Sequence, residues 1–220
     1  MTIKAWMPER NIWRWASLSG AALLVLLLLV AAGWYWRARS EEANLQAFSH
    51  ASQLYREATA EGKSEKSGEA RKALEEFLGT HGRSRSASLA AYYLGNLLFQ
   101  SKEYEQARTA YVKAINNRAA HHLLLLCQLG VAYSWEAQGQ FAPALRAYQD
   151  GLAKATPKHF LYEELVVGQA RMQESQQEIS LALETYRGFL RDRPESPRAD
   201  EIRSRIAMLE GQGNPSKSSR

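Results

Sequence analysis

The sequence predicts an all-α chain: a single transmembrane helix, then a helical solenoid of about four hairpins, then a C-terminal capping helix. Three observations carry this. Beyond residue 40 the apolar residues recur at three- and four-residue spacing, with no strand-like alternation. The unit Ala-x3-Phe/Tyr recurs at Ala73/Phe77, Ala107/Tyr111, Ala144/Tyr148 and Ala182/Tyr186, with alanine spacings of 34, 37 and 38. Residues 16–36 form an uncharged apolar run with tryptophan at both ends.

The first element is that run. At 1.5 Å per residue, 16–36 spans roughly 31 Å, about one hydrocarbon core. Trp13 and Trp15 on one side, and Trp34, Tyr35 and Trp36 on the other, suit the two interfaces. A cleaved signal peptide is the competing reading, with Lys4, Arg10 and Arg14 as its basic region and 30–32 as its cleavage site. The tryptophan-rich exit favours an uncleaved anchor. Lys4, Arg10 and Arg14 precede the run, whereas Arg37 and Arg39 behind it meet Glu41 and Glu42 at once. The positive-inside bias therefore puts residues 1–15 in the cytoplasm and the remainder on the other side of the membrane.

Residues 41–211 form the helical domain. The leading helix covers roughly 41–61, and 60–69 is a polar turn. Residues 79–86 link the first two units, with Ser86 placed as an N-cap. Ser196 and Pro197 open the last helix, which Asp200 and Glu201 favour through the helix dipole. Residues 212–220 read as a disordered tail.

Leu94-Gly95, Leu129-Gly130 and Val167-Gly168 precede the last three alanine units. Glycine in mid-helix costs roughly 1 kcal/mol against alanine. A close helix approach offsets that cost, with Tyr111, Tyr148 and Tyr186 filling the gap to the next hairpin. The pattern resembles the tetratricopeptide repeat, a 34-residue helix–turn–helix. It is clearest at Leu94, Gly95, Leu98, Tyr104, Ala107, Tyr111 and Ala114, and again at Leu129, Gly130, Tyr133, Gly139, Phe141, Ala144 and Tyr148. The third and fourth units are each two residues longer before the turn.

By repeat position, the first helices would line a concave face with Leu89, Tyr92, Asn96 and Phe99; with Leu124, Cys127, Val131 and Ser134; and with Tyr162, Leu165, Gln169 and Met172. That set fits an apolar segment of a partner protein, such as a helix laid in a groove. The order of parts, an anchor ending Gly-Trp-Tyr-Trp with the helix running on through "RARSEEANLQAFSHASQLY", resembles the YfgM-like ancillary subunits of the SecYEG translocon. That resemblance implies an inner-membrane protein with a periplasmic docking domain near emerging chains and periplasmic chaperones. The ending around Arg193-Pro194 is also similar to envelope proteins of assembly and cell division.

No catalytic, cofactor or metal site is expected. Adjacent His121 and His122 diverge by roughly 100° on a helix, and no His-x3-His or Cys-x2-Cys exists. Cys127 reads as a small apolar side chain. Net charge is +5 with short basic pieces, which does not indicate nucleic acid.

Overall fold

A computed structural model describes residues 9–60, 66–117 and 119–212. The side chains of 9–22, 24, 25, 37, 38, 40, 41 and 212 are outside the described set, as are residues 1–8 and 213–220, on which all but the first residue of the expected tail at 212–220 falls. Among the described residues there are nine α-helices: α1 (Glu9–Thr59), α2 (Ser67–Thr80), α3 (Ala87–Gln100), α4 (Tyr104–Asn116), α5 (His121–Glu136), α6 (Phe141–Leu152), α7 (Tyr162–Ser175), α8 (Ile179–Asp192) and α9 (Ala199–Gln212).

The chain divides into two compact units, Met1–Ala47 and Phe48–Arg220. In the first, α1 leaves Leu26, Leu27, Leu28 and Leu29 58–66% exposed, and Trp34, Tyr35 and Trp36 are exposed as well. Among the described residues no helix is long and apolar enough to cross a membrane. The expected span at 16–36 falls partly on side chains outside the described set.

In the second unit, the end of α1 and α2 come first, and α3–α4, α5–α6 and α7–α8 follow as antiparallel hairpins, with α9 closing the stack. Phe48 of α1 packs on Phe77 of α2 at 5.6 Å between ring centroids, and Tyr55 stacks on Tyr93 of α3 at 4.2 Å. At the far end, Ile202 and Leu209 of α9 close over Val166, Val167, Ala170, Ala182, Tyr186 and Phe189.

The three later hairpins turn in the same way. Lys102, Gly139 and Gln177 each take a positive φ, of 62°, 70° and 66°. The next residue then donates its N–H back five positions: Glu103 to Leu98, Gln140 to Trp135, and Glu178 to Gln173, at 2.8–3.0 Å. These are Schellman-type ends, which satisfy the last carbonyls of each first helix. Only the middle hairpin uses glycine there. Ser86 does occupy the N-cap position of α3, but its side chain makes no capping bond. α9 starts at Ala199, where Ser196 Oγ accepts the Arg198 N–H at 3.1 Å.

The mid-helix glycines have a specific purpose. A Cβ built on Gly95 would lie 2.5 Å from Tyr111 Cε1, and one on Gly130 would lie 2.6 Å from Tyr111 Cζ. One tyrosine ring of α4 thus sits between a glycine of its own hairpin and a glycine of the next. Gly168 repeats the arrangement against Tyr148, with a notional contact of 2.2 Å. Ala107, Ala144 and Ala182 are fully buried beside these rings. Small residues here admit an aromatic ring, which is a more particular requirement than letting two backbones approach.

Candidate partner-binding surface

The buried tyrosines end on polar groups, and from the third hairpin onward these groups form a repeated clamp. Tyr148 of α6 donates its hydroxyl to Glu136 of α5 at 2.6 Å, and Arg171 of α7 grips the same carboxylate through Nε and Nη2, both at 2.8 Å. One repeat on, Tyr186 of α8 donates to Glu174 of α7 at 2.6 Å, and Arg205 of α9 pairs with that carboxylate. Each clamp joins three consecutive helices. Burial, with the carboxylate second, pushes the phenol pKa of Tyr148 and of Tyr186 well up. The Glu136 hydrogen bond holds the Arg171 guanidinium more firmly protonated. A parallel link runs from Tyr133 of α5 to Glu164 of α7 at 2.6 Å, with Arg198 on the same acid at 3.1 Å.

The second hairpin differs. Tyr111 donates to Asn96 Oδ1 at 2.9 Å, and Asn96 Nδ2 donates to the Tyr55 hydroxyl at 3.0 Å. Asn96, expected on an open groove, therefore ties α1, α3 and α4 together. Leu89, Tyr92 and Phe99 of α3 are half-buried, as are Leu124 of α5 and Tyr162 and Gln169 of α7.

The other expected groove residues are not on a surface. Cys127, Ser134 and Leu165 have no exposure, Met172 has 1% and Val131 has 9%. The physical reason is that α5 and α7 are enclosed by their neighbours. α5 packs against α3, α4 and α6, and α7 against α6 and α8. Leu165 sits over Gly151 of α6, where a Cβ would approach its Cδ2 to 2.7 Å. Burial raises the Cys127 thiol to about 12, so at neutral pH it is a protonated core side chain with little nucleophilic character.

A cleft of about 510 Å³ opens between α6, α7 and α8. Leu152, Tyr162, Val166, Leu181 and Phe189 supply its apolar wall, and Gln169 and Gln173 its amides. Tyr162 donates to Asp192 at its mouth, and Thr185 donates to Gln173 at 2.8 Å in its floor. Its origin shows when the repeats are superposed at Gly130 and Gly168. At the place of Gln173, the third hairpin carries Trp135, with the Arg108 guanidinium stacked 3.5 Å from the ring centre. Arg108 is matched by Leu145. Where the fourth hairpin presents the Gln173 amide to the cleft, the third carries an indole covered by a guanidinium from α4. The sequence reading found Tyr162 and Gln169 here but missed the α8 wall, because it searched only the first helix of each repeat.

His121 and His122 begin α5 and are exposed, as their adjacency suggested. Among the described residues, no three His, Cys, Asp or Glu side chains gather as a metal set would.

Stacked antiparallel helix pairs closed by an end helix define a helical-repeat solenoid. The chain belongs to the tetratricopeptide repeat-like domain family, whose model matches residues 11–165. Among solved structures it is similar to the apo form of RapI, with a TM-score of 0.58 at 14% identity over 75% of this chain. The chain spans 63% of RapI's length. It is also similar to a MamA RS-1 ArsTM double mutant, with a TM-score of 0.55 at 14% identity over 77% of this chain and 98% of that one. A repeat protein from Bacteroides fragilis aligns at a TM-score of 0.45 and 16% identity, over 77% of this chain and 78% of the other. At these identities the likeness is one of fold. No curated protein matches the sequence.

Proposed function

We propose that the protein is a membrane-anchored scaffold that holds an apolar segment of a partner protein in the cleft between α6, α7 and α8. The observation that carries the reading is the cleft with its apolar wall, lined by Gln173 where the preceding repeat carries Trp135 beneath the Arg108 guanidinium. The extended surface of a repeat solenoid is suited to binding. The family match covers the apolar segment at 16–36 together with the first hairpins, which favours a single membrane-tethered unit.

The anchor reading rests on the exposed leucines of α1 and on Trp34, Tyr35 and Trp36, side chains that water would not stabilise in such numbers. With residues 1–15 in the cytoplasm, the solenoid lies on the periplasmic face of an inner membrane. Its proposed neighbours there, by the resemblance to YfgM-like subunits, are the SecYEG translocon and periplasmic chaperones.

A reporter active only in the periplasm, fused after Arg220, tests the topology. Activity is expected, and silence beside an active cytoplasmic reporter would reverse it. Photocrosslinking from Gln169 in intact membranes tests the partner. Translocon or chaperone products are expected. Products confined to outer-membrane assembly or division proteins would move the scaffold to those complexes.

A further inference from the structure

The two edges of the solenoid differ in charge. In a stack of antiparallel hairpins, every connection leading into a first helix lies on one edge, and every turn inside a hairpin lies on the other. Contacts confirm the first edge as continuous. His121 and His159 meet edge-on at 5.7 Å, and Arg193 donates to the Pro157 carbonyl at 2.6 Å.

That edge is cationic. Residues 81–86 carry Arg83 and Arg85, 153–161 carry Lys154 and Lys158, and 193–198 carry Arg193 and Arg198, with Glu195 as the one carboxylate in these segments. Arg193 and Arg198 are held by Glu163 and Glu164, whereas Arg83, Arg85 and Lys158 are exposed. Four of the five histidines of the chain are also here: His81, His121, His122 and His159. Among them stands Phe160, 68% exposed and stacked on His159. On the opposite edge, the described turns at 101–103, 137–140 and 176–178 hold Lys102, Glu103 and Glu178 among glutamines.

The chain also enters the solenoid at the cationic edge. Phe48, the first residue of this unit, packs on Phe77, and Phe77 packs on His81 at 5.3 Å.

We propose that this edge binds anionic phospholipid headgroups, with Arg83, Arg85 and Lys158 as the charged contacts and Phe160 as an interfacial wedge. The proposal rests on the membrane-anchor reading and deepens it: the solenoid lies against the bilayer surface, which leaves the glutamine-rich edge toward water. Lysine and arginine near an anionic leaflet are attracted over about a Debye length, and an exposed aromatic ring suits the headgroup layer.

The test uses the full chain reconstituted into vesicles of phosphatidylcholine alone, or with phosphatidylglycerol added, each carrying a headgroup quencher. A fluorophore is placed at exposed Ala120→Cys on the cationic edge or at exposed Ala137→Cys on the other; the natural thiol, Cys127, is buried. Quenching at position 120 should exceed that at 137 by about threefold with phosphatidylglycerol. It should fall toward the 137 value in neutral vesicles or in the R83Q/R85Q/K158Q variant, which alters only exposed side chains. Equal quenching at the two positions in floated vesicles would overturn the lipid contact and turn the edge toward an acidic protein or nucleic acid. Failure of the full chain to float with neutral vesicles would overturn the anchor reading, and this proposal with it.

Discussion

The third hairpin, α5–α6, and the fourth, α7–α8, are built on one frame and finished differently. Both receive a tyrosine ring from the preceding second helix against a glycine, Gly130 under Tyr111 and Gly168 under Tyr148. Both lock their own tyrosine to a carboxylate and an arginine from the next repeat. They part at Trp135 and Gln173: the indole carries the Arg108 guanidinium of α4, whereas Gln173 lines the cleft. Positions that set the angle between helices recur; positions facing the space between second helices do not. What distinguishes one repeat from another is therefore located where a partner can reach.

The sharpest break of that comparison is at glycine. Gly168→Leu would drive a side chain into the ring of Tyr148, which is itself fully buried and tied to Glu136. A loss of about 3 kcal/mol or more is expected in urea unfolding. Gly188→Leu, in the cleft of the same hairpin, meets only Arg191 Nη2 at 3.6 Å. It should leave stability within about 1 kcal/mol while filling the cleft. Equal losses would mean that frame and cleft are not distinct.

The two clamps should differ in strength. The Glu174 side chain is 8% exposed and that of Glu136 is 24%. Glu174→Ala is expected to cost about 2–3 kcal/mol and Glu136→Ala about 1–2, since truncation strands a phenol and a guanidinium more completely in the drier site. Urea midpoints in the reverse order would count against this ranking.

The same rings predict alkaline instability. Burial raises the pKa of Tyr111, Tyr148 and Tyr186 in the folded chain. Up to about pH 10 both folded and unfolded states keep these protons, so the rings leave stability unchanged. Above it the unfolded chain loses protons that the folded chain retains, and stability falls by about 1.4 kcal/mol per pH unit for each ring. Tyr186→Phe should make the slope of melting temperature between pH 10 and 11 shallower, by one ring's share among the several raised tyrosines. An unchanged slope would exclude Tyr186 as a contributor.

The smallest effect lies at the turns. Gln177 takes a positive φ where Gly139 does so freely. Gln177→Gly should stabilise the fourth hairpin by up to about 1 kcal/mol, and Gly139→Ala should weaken the third by a similar amount, both readable as shifts in melting temperature.

The repeat frame was legible in the sequence because packing forces particular residues on it. A ring buried between two helices requires glycine opposite, so Gly95, Gly130 and Gly168 announce the hairpins at their spacing. The clamps were legible in principle. Glu136 and Glu174 are 38 residues apart, as are Tyr148 and Tyr186, and that shared interval marks paired groups. The groove was only partly legible. Repeat position gives the direction of a side chain from its helix axis, but which neighbour covers it depends on how far the hairpins close. That is why Cys127, Val131, Leu165 and Met172 are inside while Tyr162 and Gln169 line a cleft. The left-handed Lys102 and Gln177 were illegible, because neither residue type advertises that conformation.

The central claim is that the cleft of the fourth hairpin, where Gln173 stands in place of Trp135, receives a partner. Photoreactive residues placed at Tyr162 and at its counterpart Leu124, in the full chain in native membranes, test it directly. Crosslinks to a partner protein from position 162, with few from 124, are the expected result, and Gly188→Leu should abolish them. Crosslinks equally strong from both positions, or strong from 124 alone, would contradict the account.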